Sequence, residues 1–297
     1  MPRMGVIASL VPAVFAVAVL PASRVSVLVV CEPGVEAYNE ALSGVSAVLP
    51  AGTFRLVDVG SKTFDRDFAG AVDNETRVVI AVGGRALAEV RAHHPGVPVV
   101  AAMVLRGSDT EPGVRRVDLD IPIASQLATM KSLWPGRTRA GIIRNAARAH
   151  YPKDALEAIA RKEGFSLLVI DCDGPAQLLK AMATFRARVD FVLCPPDSEL
   201  YNAVTVKPLV LASLEQRLPL VGFSPAFVRA GAAVGIFPDY ADLGRQSAEA
   251  ALRVLRGEDR GGSNESPRKV LVAVNQRVVR LLGVEFRPEL VAAEVYR

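Results

Sequence analysis

The chain has 297 residues, 51% of them hydrophobic, with 35 Lys and Arg against 31 Asp and Glu. That length exceeds one ordinary domain, the apolar content excludes a disordered chain, and a formal charge of +4 does not indicate a nucleic-acid partner.

Residues 1–23 place Arg3 before an apolar run over 4–20 and then the small pair Ala22 and Ser23, the order of a secretory signal peptide. An uncleaved membrane anchor is the competing reading, since the run approaches the roughly 20 residues that span a bilayer. Pro12, Pro21 and a strand that starts at once from Val25 favour removal, so the expected location is periplasmic or otherwise extracytoplasmic.

From there short apolar runs alternate with amphipathic stretches, the pattern of parallel strands covered by helices on both faces. The first round predicts strands over 25–30, 54–57, 78–82 and 97–102, with helices over 35–49, 65–71 and 85–92. A second round opens after an extended run at 116–120, with a helix over 123–133 ended by Pro135 and Gly136. Its strands are expected over 139–143, 166–171, 191–194 and 218–222, and its helices over 153–163, 176–185 and 198–216. Pro208 should kink or split the last of these, because it lacks the N–H that would reach Val204.

Leu243, Ser247, Ala250, Ala251, Val254 and Leu255 form one stripe of a helix over 241–256, with Gly257 as its stop. The tract 257–269 reads as a polar, mobile surface segment, and a strand over 270–274 and a helix over 276–282 close the chain. Cys172 and Cys194 end strands that a 2-1-3 order sets about 10 Å apart, beyond disulfide reach. Both, like the strand-end Cys31, are expected to be free, buried thiols.

Loops at the C-terminal ends of parallel strands are where open α/β sheets bind ligands. Asp197 in CPPD and Asp239 in GIFPD each follow an apolar strand, where a carboxylate can take a ligand ammonium or hydroxyl, or cap the next helix. For Asp197 the expectation is ligand contact or a shared role, with Ser198 capping instead; for Asp239 both roles stand. The facing loops carry Glu32, then Gly83, Gly84 and Arg85, then residues 103–106. Gly83 and Gly84 open a helix whose N–H groups could hold a carboxylate, but they are neither G-x-G-x-x-G nor a P-loop.

Arg85, Arg106 and Arg144 at the rim point to a solute bearing carboxylate or phosphate, unless they are merely solvated. Asn145 could bond a ligand or make an Asx turn, and Phe223, the adjacent Ser224 and Tyr240 are further candidate contacts. There is no G-x-S-x-G elbow and no H-E-x-x-H, and the side chains of adjacent His93 and His94 diverge on a helix. Neither catalysis nor a metal or cofactor is expected.

The order PPDSELY, then RLPLVGFSPAFVRAGA, then IFPDYADLGRQSAEAALRVLRGE resembles the ABC-transporter substrate-binding family that includes tryptophan and tyrosine binders. The resemblance covers essentially the chain beyond the signal and is strongest after Asp190. It implies the type I periplasmic-binding fold: two doubly wound parallel-sheet α/β lobes joined by a three-segment hinge. By that resemblance lobe 1 holds 24–119 plus about 235–268, lobe 2 holds 120–234 plus 269–297, and the crossings lie near 118–122, 224–235 and 261–270.

The first lobe's loops depart from the family, with Gly-Gly-Arg for a G-T-P type and Leu-Arg-Gly-Ser-Asp for an S-D-P type. The resemblance implies a monomeric receptor that captures a small polar solute, an amino acid or related anion, and delivers it to an ABC permease. A ligand-sensing or envelope-complex accessory protein on the same scaffold is the second reading, and a cytosolic α/β enzyme the third.

Overall fold

The computed structural model describes residues 26–93, 95–105, 113–149, 151–258 and 264–287, and the backbone alone of 293–296. The signal-like segment 1–23 and Arg106 lie outside the described residues. The first part of the chain runs β1 (Val27–Cys31), α1 (Glu36–Val48), β2 (Phe54–Asp58), α2 (Phe64–Ala71), β3 (Val78–Val82), α3 (Gly84–Ala92), β4 (Val99–Val104) and β5 (Val114–Asp118). Two later elements join it, α9 (Tyr240–Leu255) and β11 (Asn264–Glu265), and the sheet order is β11-β5-β4-β3-β1-β2, every pair parallel.

Successive side chains of a strand point to opposite faces. Val27, Val29 and Cys31 of β1 accordingly enter the core under α1 and α9, while Leu28 and Val30 enter the one under α2 and α3. Strands buried on both sides in this way read as unbroken apolar runs.

The second unit runs α4 (Ile123–Leu133), β6 (Arg139–Arg144), α5 (Lys153–Lys162), β7 (Ser166–Asp171), α6 (Leu178–Phe185), β8 (Phe191–Leu193), α7 (Val206–Gln216), β9 (Leu220–Gly222), α8 (Pro225–Ala230) and β10 (Val234–Pro238). After α9 and β11 it is completed by β12 (Val270–Asn275), α10 (Gln276–Leu282) and β13 (Ala293–Tyr296). The order is β13-β12-β10-β9-β8-β6-β7, parallel except where β12 runs against β10. Two doubly wound, mostly parallel α/β sheets are the fold class expected from the sequence.

Three expectations are corrected. The second crossing is not at 224–235: β10 bonds to β9 and β12 in the second sheet, and the chain leaves that sheet only at Asp239. The six residues of α8 suffice to connect parallel β9 and β10, Phe227 tucking under the sheet as they do so. The helix expected over 198–216 starts at Val206, which places Pro208 in the first turn, where its missing N–H would have had no partner anyway.

Third, residues 264–269 are strapped down. Arg268 bonds Asp242 at 2.9 and 3.1 Å and Glu249 at 2.7 and 3.1 Å, Lys269 meets Asp239 at 2.6 Å, and Gln246 donates to the Ser266 carbonyl at 3.0 Å. The polar tract is a belt along α9 for that stretch; residues 259–263 lie outside the described part.

Candidate functional site

At the C-terminal edge of the second sheet a cavity of about 450 Å³ opens between the ends of β6 and β8, the start of α4 and the loop before α5. Its apolar lining includes Ile121, Ile142, Leu156, Leu193, Pro195 and Pro196, with Leu105 reaching in from the end of β4. Ile142 and Arg144 turn to this side of β6, whereas Ile143 between them enters the opposite core. Asp120, Gln126, Arg144, Asn145, Arg148, Tyr151 and Asp197 supply the polar lining.

Three sequence-predicted residues therefore meet here, Arg144, Asn145 and Asp197, all buried. Arg144 pairs through Nε with Asp171 Oδ1 at 2.7 Å, its registered neighbour on β7, and donates through Nη1 to the Tyr151 carbonyl. Its charge is thus satisfied in place. Asn145 makes the Asx turn, Oδ1 accepting from Ala147 N–H at 3.0 Å, and Nδ2 donates to Glu199 at 3.3 Å. Arg148 pairs with the same Glu199.

Asp197 Oδ1 accepts from the N–H groups of Glu199 and Leu200, each at 2.9 Å, and Oδ2 keeps no hydrogen-bond partner among the described residues. Asp197 thus caps the turn as well as lining the cavity, whereas Ser198, expected as the cap, is exposed and outside the lining.

The other predicted residues lie elsewhere. Glu32 and Arg85 pair with each other at 3.3 Å on the first sheet's C-terminal edge, so Arg85 is not a free anion receptor. Gly83 precedes Gly84 there with φ 92°, and a Cβ on it would come within 2.5 Å of the Tyr38 hydroxyl, which leaves glycine as the residue that fits. Phe223 packs against Phe227 and Tyr201 at ring distances of 5.5 and 6.1 Å, and Ser224 caps α8. Tyr240 stacks on Phe237, and its phenol is pushed up to about 12, first by burial and then by Glu40.

Asp239 caps α9, accepting from Asp242 N–H at 2.9 Å. Burial works against its charge, but Lys269, the Asp242 N–H and Arg245 together hold its carboxyl below the usual range. It belongs to the crossing rather than to the cavity. Residues that sequence reasoning missed are Asp120, Ile121 and Gln126, although they follow directly on the strand end at Asp118. Among the described residues there is no cluster of His, Cys, Asp and Glu fit for a metal and no helix long and apolar enough to cross a membrane.

Over residues 68–294 the sequence matches the family model described as ABC transporter substrate binding protein. A tyrosine-binding protein of Clostridioides difficile (strain R20291) is 22% identical over 143 residues, 48% of this chain and 41% of that protein, so the match spans about two fifths of the curated relative. Among solved structures, the ABC domain in complex with L-Trp from Streptococcus pneumonia superposes with a TM-score of 0.60 at 16% identity, covering 91% of this chain and 100% of that one. The ligand-free, open structure of a substrate binding protein with adhesive properties from Clostridium difficile gives 0.68 at 15% identity, covering 91% and 99%. With two mostly parallel sheets, three chain crossings between them and a model match over most of its length, the chain belongs to the ABC transporter substrate-binding protein family.

Proposed function

We propose that this protein is an extracytoplasmic receptor that takes a small amphipathic solute into the cavity beside β6 and β8 and delivers it to an ABC permease. The two sheet units act as lobes, and the solute shifts their equilibrium toward closure because it contacts both in the closed form and one in the open form. One observation carries the reading: an apolar lining is joined to the buried Asp197 and Asn145 in a cavity of about 450 Å³, a size and composition suited to a metabolite.

The charge balance chooses among solutes. The described arginines that suggested an anion, Arg85 and Arg144, are each neutralised by a carboxylate. Asp197 retains an oxygen for a donor, so an ammonium on an apolar body fits better than a dicarboxylate or a phosphate. A relative named for tyrosine and a neighbour holding L-Trp support an amino acid.

Thermal-shift screening against apolar and aromatic amino acids, dicarboxylates and phosphorylated small molecules tests this, since a ligand of the native state alone raises its stability. Stabilisation by an amino acid and not by the anions is the expected result. A screen in which no small solute shifts the protein would sink the reading.

A further inference from the structure

We propose that the N-terminal edge of the second sheet, opposite the cavity, is a docking face for an anionic membrane surface. Six exposed cations gather there: Arg161 and Lys162 where α5 ends, Arg186 and Arg188 in the turn before β8, Arg217 as the C-cap of α7, and Arg287, whose N–H bonds the Leu133 carbonyl at the end of α4. None of the six forms an ion pair with a described residue. Elsewhere most arginines are matched, as in Arg55 with Asp73, Arg116 with Asp118 and Arg253 with Glu265.

The same edge holds Lys131, bonded to the Glu163 carbonyl at 3.1 Å, and Arg139, which bonds the Ala187 carbonyl at 3.3 Å and shares Asp190 with Arg137. These contacts tie the turns before β6, β7 and β8 into one surface. Among the described residues, Glu163, Glu215 and Glu285 stand at these turns and helix ends to oppose it.

With neighbouring strands about 4.8 Å apart, the turns before β7 and β8, which flank β6, are separated by about 10 Å and those before β8 and β9 by one spacing. These separations are comparable to the Debye length of about 8–10 Å, so the fields of their cations overlap. The cations are spread over several turns and helix ends, one or two on each. A diffuse array of this kind matches a diffuse anionic surface, where each Lys or Arg adds its own attraction to acidic headgroups. The cavity opens on the opposite edge, so a docked molecule keeps it in water.

Co-sedimentation of the full chain with vesicles tests this, comparing phosphatidylglycerol-rich with pure phosphatidylcholine vesicles, so that any contribution of the apolar N-terminal run is common to both. Retention on the anionic vesicles should be at least about fivefold higher at low salt and fall as salt screens the charges. The triple variant R161E/R186E/R188E should lose that excess, whereas K62E/R77E/K180E, with the same charge change placed elsewhere, should keep it. Circular dichroism of both variants should match the parent.

Equal retention on the two vesicle types overturns the proposal, and so does an equal loss in both triple variants. Capture of the parent by a soluble polyanion such as heparin, without excess retention on anionic vesicles, overturns it in favour of a polyanionic partner.

Discussion

Gly44 of α1 and Gly244 of α9 stand where neither helix has room for a side chain: a Cβ on Gly44 would lie 1.8 Å from the Ala241 carbonyl oxygen, and one on Gly244 would lie 1.9 Å from that of Ala41. The glycine in DYADLGRQ is therefore a packing residue, which lets two helix backbones touch and bury Ala41, Val45, Ala248 and Ala251 in one core. Gly244→Ala should lower unfolding stability by about 3 kcal/mol or abolish folding, because overpacking here meets backbone rather than a movable side chain. Gly70→Ala, with nothing within 4 Å of its added methyl, should instead hold or raise stability by up to about 1 kcal/mol. Urea denaturation of both variants checks the pair.

Asp197 has two duties that substitution can separate. Asp197→Asn keeps an oxygen for the Glu199 and Leu200 N–H groups and should stay near parental stability, yet bind the solute at least about tenfold more weakly. Asp197→Ala also loses the turn cap, at about 1 kcal/mol. Calorimetric titration with the solute found by thermal shift is the measurement, and an Asn variant that binds like the parent removes this carboxylate from the contact set.

The belt along α9 makes stability acid-sensitive. Asp242 is held below the usual carboxylate range by its bond to Arg268 and then by Arg245, against the opposing effect of burial, and Asp239 is lowered too. A depressed native pKa means that the unfolded chain binds more protons in acid. The stabilisation is present above the unfolded value near 3.9 and is lost as pH falls below it. Asp242→Asn should be less stable at neutral pH and show a flatter decline in acid, read from thermal melts across pH 2 to 7.

The three thiols should be silent until the protein opens. Burial pushes Cys194 up to about 12 and Cys31 up to about 11, and it raises Cys172 as well. With so little thiolate in the native state, alkylation at mildly alkaline pH should be slow, and all three should react once denaturant is added. Rapid native labelling of Cys194, which no surface reaches, would contradict its burial.

Local pattern made much of this legible. The strand ends at Val82 and Asp171 and the helices at 123–133 and 276–282 could be read from apolar runs and their stops, because local sequence decides them. The site was legible only in part. Asp197 and Asp239 sit in the same apolar-Pro-Asp setting, yet one faces the cavity and the other a lysine 30 residues further on, at Lys269. Nothing near Asp239 announces that partner. The partners of two rim arginines were illegible for the same reason: the acids that neutralise Arg85 and Arg144 are 53 and 27 residues away.

Because α9 and β11 return to the first sheet only after the second is built, the amino-terminal part of this chain is not a module that can be cut out of the gene. A fragment ending at Asp118 would display the bare seam of Ala41 and Gly44 to water and should be insoluble when made alone. The same fragment should be rescued by co-expression with the remainder of the chain, a case of fragment complementation. Each sheet is thus assembled from two segments separated in the chain, so shuffling one sheet between relatives would have to move both of its segments at once.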